Sequence, residues 1–165
     1  MKKKFLLFIF CLILFLENVQ ALENKIILKI DNEIITTLDL ANEIKYLSTL
    51  NPSIKNLSID RLKLIGKNSL IKEKIKRKEI LKYINKIEID HKFLKKLIKD
   101  RYIKLNFSTE KDFIIYLKSN QVNIKEIENK LTIEALWNQL IYSKFSSKVK
   151  IKKNELIEKI KKTNN

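Results

Sequence analysis

The stretch Ile27-Leu28-Lys29-Ile30-Asp31-Asn32-Glu33-Ile34-Ile35-Thr36-Thr37-Leu38-Asp39-Leu40 decides how this chain is read. Ile26, Ile27, Leu28 and Ile30 make one strand-forming run, and Ile34, Ile35 and Thr36 make another. Between them stand Asp31 and Asn32, which both tolerate the left-handed conformations of tight turns. Residues 25–36 are therefore expected to form a short β-hairpin. Thr37 follows as the N-cap of a helix over residues 38 to about 50, with Leu40, Ile44 and Leu47 on one face. A hairpin alone is marginal in water, so helices must pack against it.

Outward from this start the pattern is helical. Asn51-Pro52-Ser53 breaks the first helix, because Pro52 biases Asn51 away from helical backbone. Ser58 caps a long helix over residues 59 to about 85. Its apolar residues fall on two sides: Leu62, Ile65, Ile80, Ile84 and Ile87 on one, Leu64, Ile71 and Ile75 nearly opposite. A helix apolar on two sides is expected to be sandwiched, or to present one side to a partner. Asp90 caps a third helix over residues 91 to about 105, with Leu94, Leu97, Ile98 and Ile103 inward. Ser108 caps a short fourth with Phe113, Ile114, Tyr116 and Leu117. Asn123 and Glu126 fit a capping box that opens a fifth helix over residues 124 to about 147. It carries Ile127, Leu131, Leu136, Trp137, Leu140, Ile141 and Phe145. Val149-Lys150-Ile151 reads as an extended link, and Asn154 caps a last helix to about residue 162. The expected fold class is mainly α, an N-terminal β-hairpin followed by about six helices in a single domain. One Gly and one Pro in 165 residues agree with long helices and few turns.

The N-terminus carries an export signature. Lys2, Lys3 and Lys4 precede an apolar run over residues 5–16, and Val19-Gln20-Ala21 places small residues at −3 and −1 of a cleavage site. Twelve residues rise only about 18 Å as a helix, short of the roughly 30 Å hydrocarbon core. Residues 1–21 are thus expected to be a cleavable signal peptide, cut between Ala21 and Leu22, and residues 22–165 the working domain of an exported, periplasmic protein. Cys11, the sole cysteine, would leave with the signal, so packing alone must hold the fold. Three lysines and Glu17 would leave too, lowering the net charge from +16 to +14. Lys, Ile and Asn supply 76 of the residues, a bias typical of an AT-rich genome, and part of the charge reflects that bias.

Few chemistries fit this residue set. His91 is the only histidine, Gly66 the only glycine, and the carboxylates sit among lysines. No metal site, cofactor or catalytic residue is expected, and no enzymatic activity. Residues 67–104 hold 14 Lys/Arg against five Asp/Glu. In an exported protein such a basic stretch suits acidic polypeptides or an anionic membrane surface, and nucleic acid is not an expected partner.

The order of elements resembles the N-terminal domain of SurA-like periplasmic chaperones, related to trigger factor. The resemblance rests on the opening stretch, on Leu70-Ile71-Lys72-Glu73-Lys74-Ile75, on Lys86-Ile87-Glu88-Ile89-Asp90, and on Ile133-Glu134-Ala135-Leu136-Trp137-Asn138-Gln139-Leu140-Ile141, followed by Val149-Lys150-Ile151 and Asn154-Glu155. It implies ATP-independent binding of unfolded outer-membrane proteins in the periplasm. Family members continue into parvulin-type prolyl isomerase domains and a C-terminal helix. A parvulin domain needs on the order of 90 further residues, so isomerase activity is not expected here. The groove left by the missing helix would be filled by a homodimer, left open for clients, or closed by the last helix.

A holdase needs an apolar patch rimmed by charge. Candidate client-binding residues are Ile71, Ile75, Tyr83, Tyr116, Trp137, Ile141 and Phe145. The competing readings are a non-catalytic envelope adaptor with a single protein partner, and a peripheral protein on anionic membrane.

Overall fold

A computed structural model describes residues 24–149 and, beyond them, Ile157. The expected signal peptide lies outside the described residues. So does the expected last helix, apart from Ile157, whose backbone is helical.

The hairpin forms as expected. Strands β1 (Ile26–Ile30) and β2 (Glu33–Thr36) pair antiparallel, with Ile30 opposite Glu33, Lys29 opposite Ile34 and Leu28 opposite Ile35. The register slips between Ile26 and Leu28, a bulge next to the strand start. Asp31 turns the chain with φ 51°, a left-handed value that an aspartate reaches readily. Alternation puts Ile35 inward and leaves Lys29 and Ile34 outward.

Helix α1 (Thr37–Leu50) starts one residue earlier than expected, because Thr36 and not Thr37 is its N-cap. The Thr36 hydroxyl accepts from the Asp39 N–H while Asp39 Oδ2 accepts from the Thr36 N–H at 2.8 Å, a reciprocal capping box. Thr37 ties the helix back to the sheet instead, its N–H donating to the Lys25 carbonyl at 2.9 Å. A short 3-10 turn (Pro52–Asn56) leads into α2 (Ile59–Ile80), which stops about five residues short of the expected end. Ile80 is the last fully buried residue there. Leu81 and Tyr83, just beyond it, are exposed.

Helix α3 (His91–Lys104) is capped by Asp90, which accepts from the Phe93 N–H at 2.9 Å. Of its four residues expected inward, Ile98 is buried and Leu94 and Leu97 half-buried, whereas Ile103 faces solvent. Helix α4 (Glu110–Ser119) is capped by Thr109 rather than Ser108, since the Thr109 hydroxyl accepts from the Asp112 N–H. Helix α5 (Ile124–Phe145) is capped by Asn123, which accepts from the Lys125 N–H at 3.0 Å. Glu126 does not close the expected box; its N–H donates to the Asn123 carbonyl. A 3-10 turn (Ser146–Lys148) ends in an extended Val149. Among the described residues the chain is thus mainly helical, with five α-helices behind one hairpin.

The core lies between α1, α3, α4 and α5. Tyr46, Ile98, Phe113, Leu117, Val122, Ile127 and Leu131 are buried together, with Phe107 and Tyr102 tilted against the Phe113 ring. Each large aliphatic or aromatic side chain fully buried here contributes on the order of 1.5–3 kcal/mol. Helix α2 packs on the other side of α1 and along α5. Its buried stripe is Gly66, Leu70 and Ile80, with Glu73 half-buried between them. The seam shares Ile80 with the first expected stripe, whose Leu62 is half-buried and Ile65 exposed, while Leu64 and Ile75 of the second face solvent. A Cβ on Gly66 would stand 2.9 Å from Leu40 Cδ1 and 3.0 Å from Ile44 Cγ1, so α1 side chains pack directly onto the α2 backbone at this glycine.

Candidate functional site

An ionic seam joins α2 to α5. Lys130 of α5 reaches Glu43 of α1 at 2.7 Å and also pairs with Glu73 of α2. Glu43 is only 2% exposed, and its second oxygen accepts from the Ser69 hydroxyl at 2.7 Å. Burial works against the Lys130 charge, yet the two carboxylates outweigh it and hold the ammonium above its ordinary range. The Lys130 ammonium also lies 4.8 Å from the centre of the Tyr46 ring, a cation–π contact. Further along, Lys76 pairs with Glu134, and Lys144 lies 3.4 Å from Glu79. Positions 73, 76 and 79 therefore meet 130, 134 and 144 in rising order, so α2 and α5 run parallel, side by side. The seam is a fixed polar joint, with no reactive group left free in it.

The far end of α5 is more exposed than its start. The first half of the helix buries Ile127, Leu131, Thr132 and Ile133. Beyond them the helix runs off the core, and its apolar residues continue into solvent. Trp137 is half-buried and Ile141 sits at the edge of exposure. Phe145 is 45% exposed and Tyr142 75%. Trp137, Ile141 and Phe145 recur at i, i+4 and i+8, one continuous stripe, with exposed Val149 just past the helix. Lysines rim it. Lys144 stacks 4.1 Å from the Tyr83 ring centre and Lys148 5.5 Å from that of Phe145. The Tyr83 hydroxyl, then Glu79, keeps the Lys144 ammonium above its ordinary range. Beside the stripe, a groove of about 580 Å3 between α3 and α5 is lined by Leu97, Leu131, Ala135 and the exposed Phe93.

The candidate client-binding residues separate into three places. Tyr83, Trp137, Ile141 and Phe145 lie on or beside the α5 stripe. Ile75 is exposed elsewhere, in a groove of about 490 Å3 against Ile30 and Leu81, bridged by the ion pairs Lys74–Glu33 and Lys78–Asp31. Ile71 is half-buried on the same helix. Tyr116 belongs to the interior: its ring packs 4.9 Å from Phe107 and its hydroxyl donates to the Thr49 carbonyl at 2.9 Å. Hydrophobic periodicity missed Glu43 and Lys130. The signal was present, since Glu43 stands among Leu40, Ile44 and Leu47 on the inward face of α1 and needs a buried cation there.

Among the described residues no group of three or more His, Cys, Asp or Glu side chains is placed to hold a metal ion. None of the described helices is long and apolar enough to cross a membrane. No family model, curated protein or solved structure matches the chain.

Proposed function

We propose that the protein is an ATP-independent holdase of the periplasm, exported by a signal peptide cut at Ala21/Leu22, which holds unfolded outer-membrane protein segments on a SurA N-terminal-like helical domain. The single observation that carries the reading is the Trp137–Ile141–Phe145 stripe. It is an apolar surface along one helix, rimmed by Lys144 and Lys148. Exposed apolar stripes of this kind mark interaction sites, and contacts that slide and exchange suit many partners. The net charge, +16 for the whole sequence and +14 once residues 1–21 are removed, speeds encounter with acidic chains.

The test dilutes a urea-denatured outer-membrane β-barrel protein into buffer with an equimolar amount of purified residues 22–165, the exported form of the proposal, and follows light scattering. Suppression that persists at about 0.3 M salt is the expected outcome, because exposed charge pairs are largely screened there. The double variant Ile141→Ser/Phe145→Ser is expected to lose most of the suppression with only a small drop in melting temperature, since both side chains lie at the surface and outside the core. No suppression, or suppression confined to low salt, overturns the reading in favour of a single-partner adaptor or an anionic surface.

A further inference from the structure

A second site is built along the ionic seam itself, whose Glu43, Glu73, Lys76, Lys130 and Glu134 are part of its lining. A cleft of about 550 Å3, in the size range of small-ligand sites, opens between α1, α2, α5 and the last turn of α3. Leu47, Leu50 and Leu131 form its apolar walls. Its carboxylates are all engaged: Glu43 and Glu73 hold Lys130, and Glu134 holds Lys76. Three donors on the lining are not. Arg101, half-buried, and Lys72 make no hydrogen bond or ion pair among the described residues, and the Tyr46 hydroxyl makes no hydrogen bond there. Tyr46 is only 8% exposed, yet no unpaired polar side-chain atom is sealed from solvent among the described residues. Its hydroxyl is therefore the part that reaches the cleft. Burial pushes the Tyr46 phenol up to about 12, so at neutral pH it stays a proton donor.

We propose that this cleft binds a carboxylate carried on an apolar body. Arg101, Lys72 and the Tyr46 hydroxyl, one from each of three helices, hold the anion, and Leu47, Leu50 and Leu131 receive the body. A guanidinium is the donor best matched to a carboxylate, which it can grip through two parallel hydrogen bonds. The lining carries four cations, Lys72, Lys76, Arg101 and Lys130, against three carboxylates, Glu43, Glu73 and Glu134, so an arriving anion meets a small surplus of positive charge. The inference stands apart from the holdase reading: neither Tyr46 nor Arg101 belongs to the α5 stripe.

Two sources share this ligand chemistry, the C-terminal carboxylate of a peptide with apolar last residues and a free fatty acid. Calorimetric titration of the purified full chain with trileucine as free acid, trileucine as C-terminal amide, and decanoate separates them. Binding of trileucine free acid, with the amide weaker by roughly tenfold or more, names the peptide source. Binding of decanoate alone names the fatty acid. Tyr46→Phe is expected to weaken the bound acid roughly tenfold and to leave the melting temperature unchanged, because that hydroxyl bonds nothing within the fold. Arg101→Gln is expected to weaken it further. The proposal is overturned if neither acid binds, if acid and amide bind alike, or if Tyr46→Phe binds the acid as tightly as the wild type.

Discussion

Lys130 is the residue on which the packing of three helices turns. Its ammonium is shared between Glu43 and Glu73, and Glu43 is nearly sealed from water. The pair is not a cheap source of stability, because desolvating both charges offsets most of their attraction. Breaking it is another matter. Lys130→Met would leave Glu43 buried with only the Ser69 hydroxyl for company. The expected loss is about 3–5 kcal/mol, read as a lowered midpoint in urea unfolding. A double variant Glu43→Leu/Lys130→Met should recover much of it, since it removes both charges and leaves no orphan.

Helix α2 shows how an element is placed by what it lacks. Summed over its length it is polar and lysine-rich, and four of its apolar residues, Ile59, Leu64, Ile65 and Ile75, face solvent. What draws it onto α1 is the absent side chain at Gly66, which admits Leu40 and Ile44 to the helix backbone. A small residue at that crossing trades helix propensity, about 1 kcal/mol for glycine against alanine, for close approach. Gly66→Leu should therefore destabilise by about 1–3 kcal/mol through overpacking, measured as a shift in thermal midpoint. Helix α5 is the complement. Its first half is core and its second half surface, with no change in the apolar spacing from Ile127 to Phe145.

Across the whole molecule the charge sets the pH range of stability. Two buried or half-buried groups, Tyr46 and Lys130, have folded values raised above their unfolded ones. For each the stabilisation is complete below the unfolded value, near 10 for tyrosine and 10.4 for lysine, and is lost as pH rises toward the folded value. With Tyr46 at about 12, the protein should lose on the order of 2–3 kcal/mol between about pH 10 and pH 12 from this tyrosine alone. Denaturant titrations across that range check it, and Tyr46→Phe should flatten the slope. Glu126 acts in the same sense at acidic pH, its contribution falling as pH rises. Burial, with Glu43 and Glu73 nearby, raises its carboxyl despite Lys130, so its ionised form is a cost of the fold at neutral pH that protonation relieves.

The sequence by itself determined the elements whose signals are local. The hairpin turn at Asp31-Asn32, the break at Pro52 and the caps Asp90 and Asn123 are read from neighbours within a few residues, where backbone sterics and single hydrogen bonds decide. Caps with two adjacent candidates, Thr36 beside Thr37 and Thr109 beside Ser108, were settled by which hydroxyl met an aspartate three residues on. Only the tertiary structure decided which apolar residues are core. Tyr116 turned inward to Thr49, Ile103 turned out, and the buried seam of α2 formed from Gly66, Leu70 and Ile80. Periodicity gives a helix its faces, but what covers a face depends on neighbours distant in sequence. The parallel course of α2 and α5, the ionic seam between them and the uncovered end of α5 all come from contacts more than fifty residues apart, which no local pattern encodes.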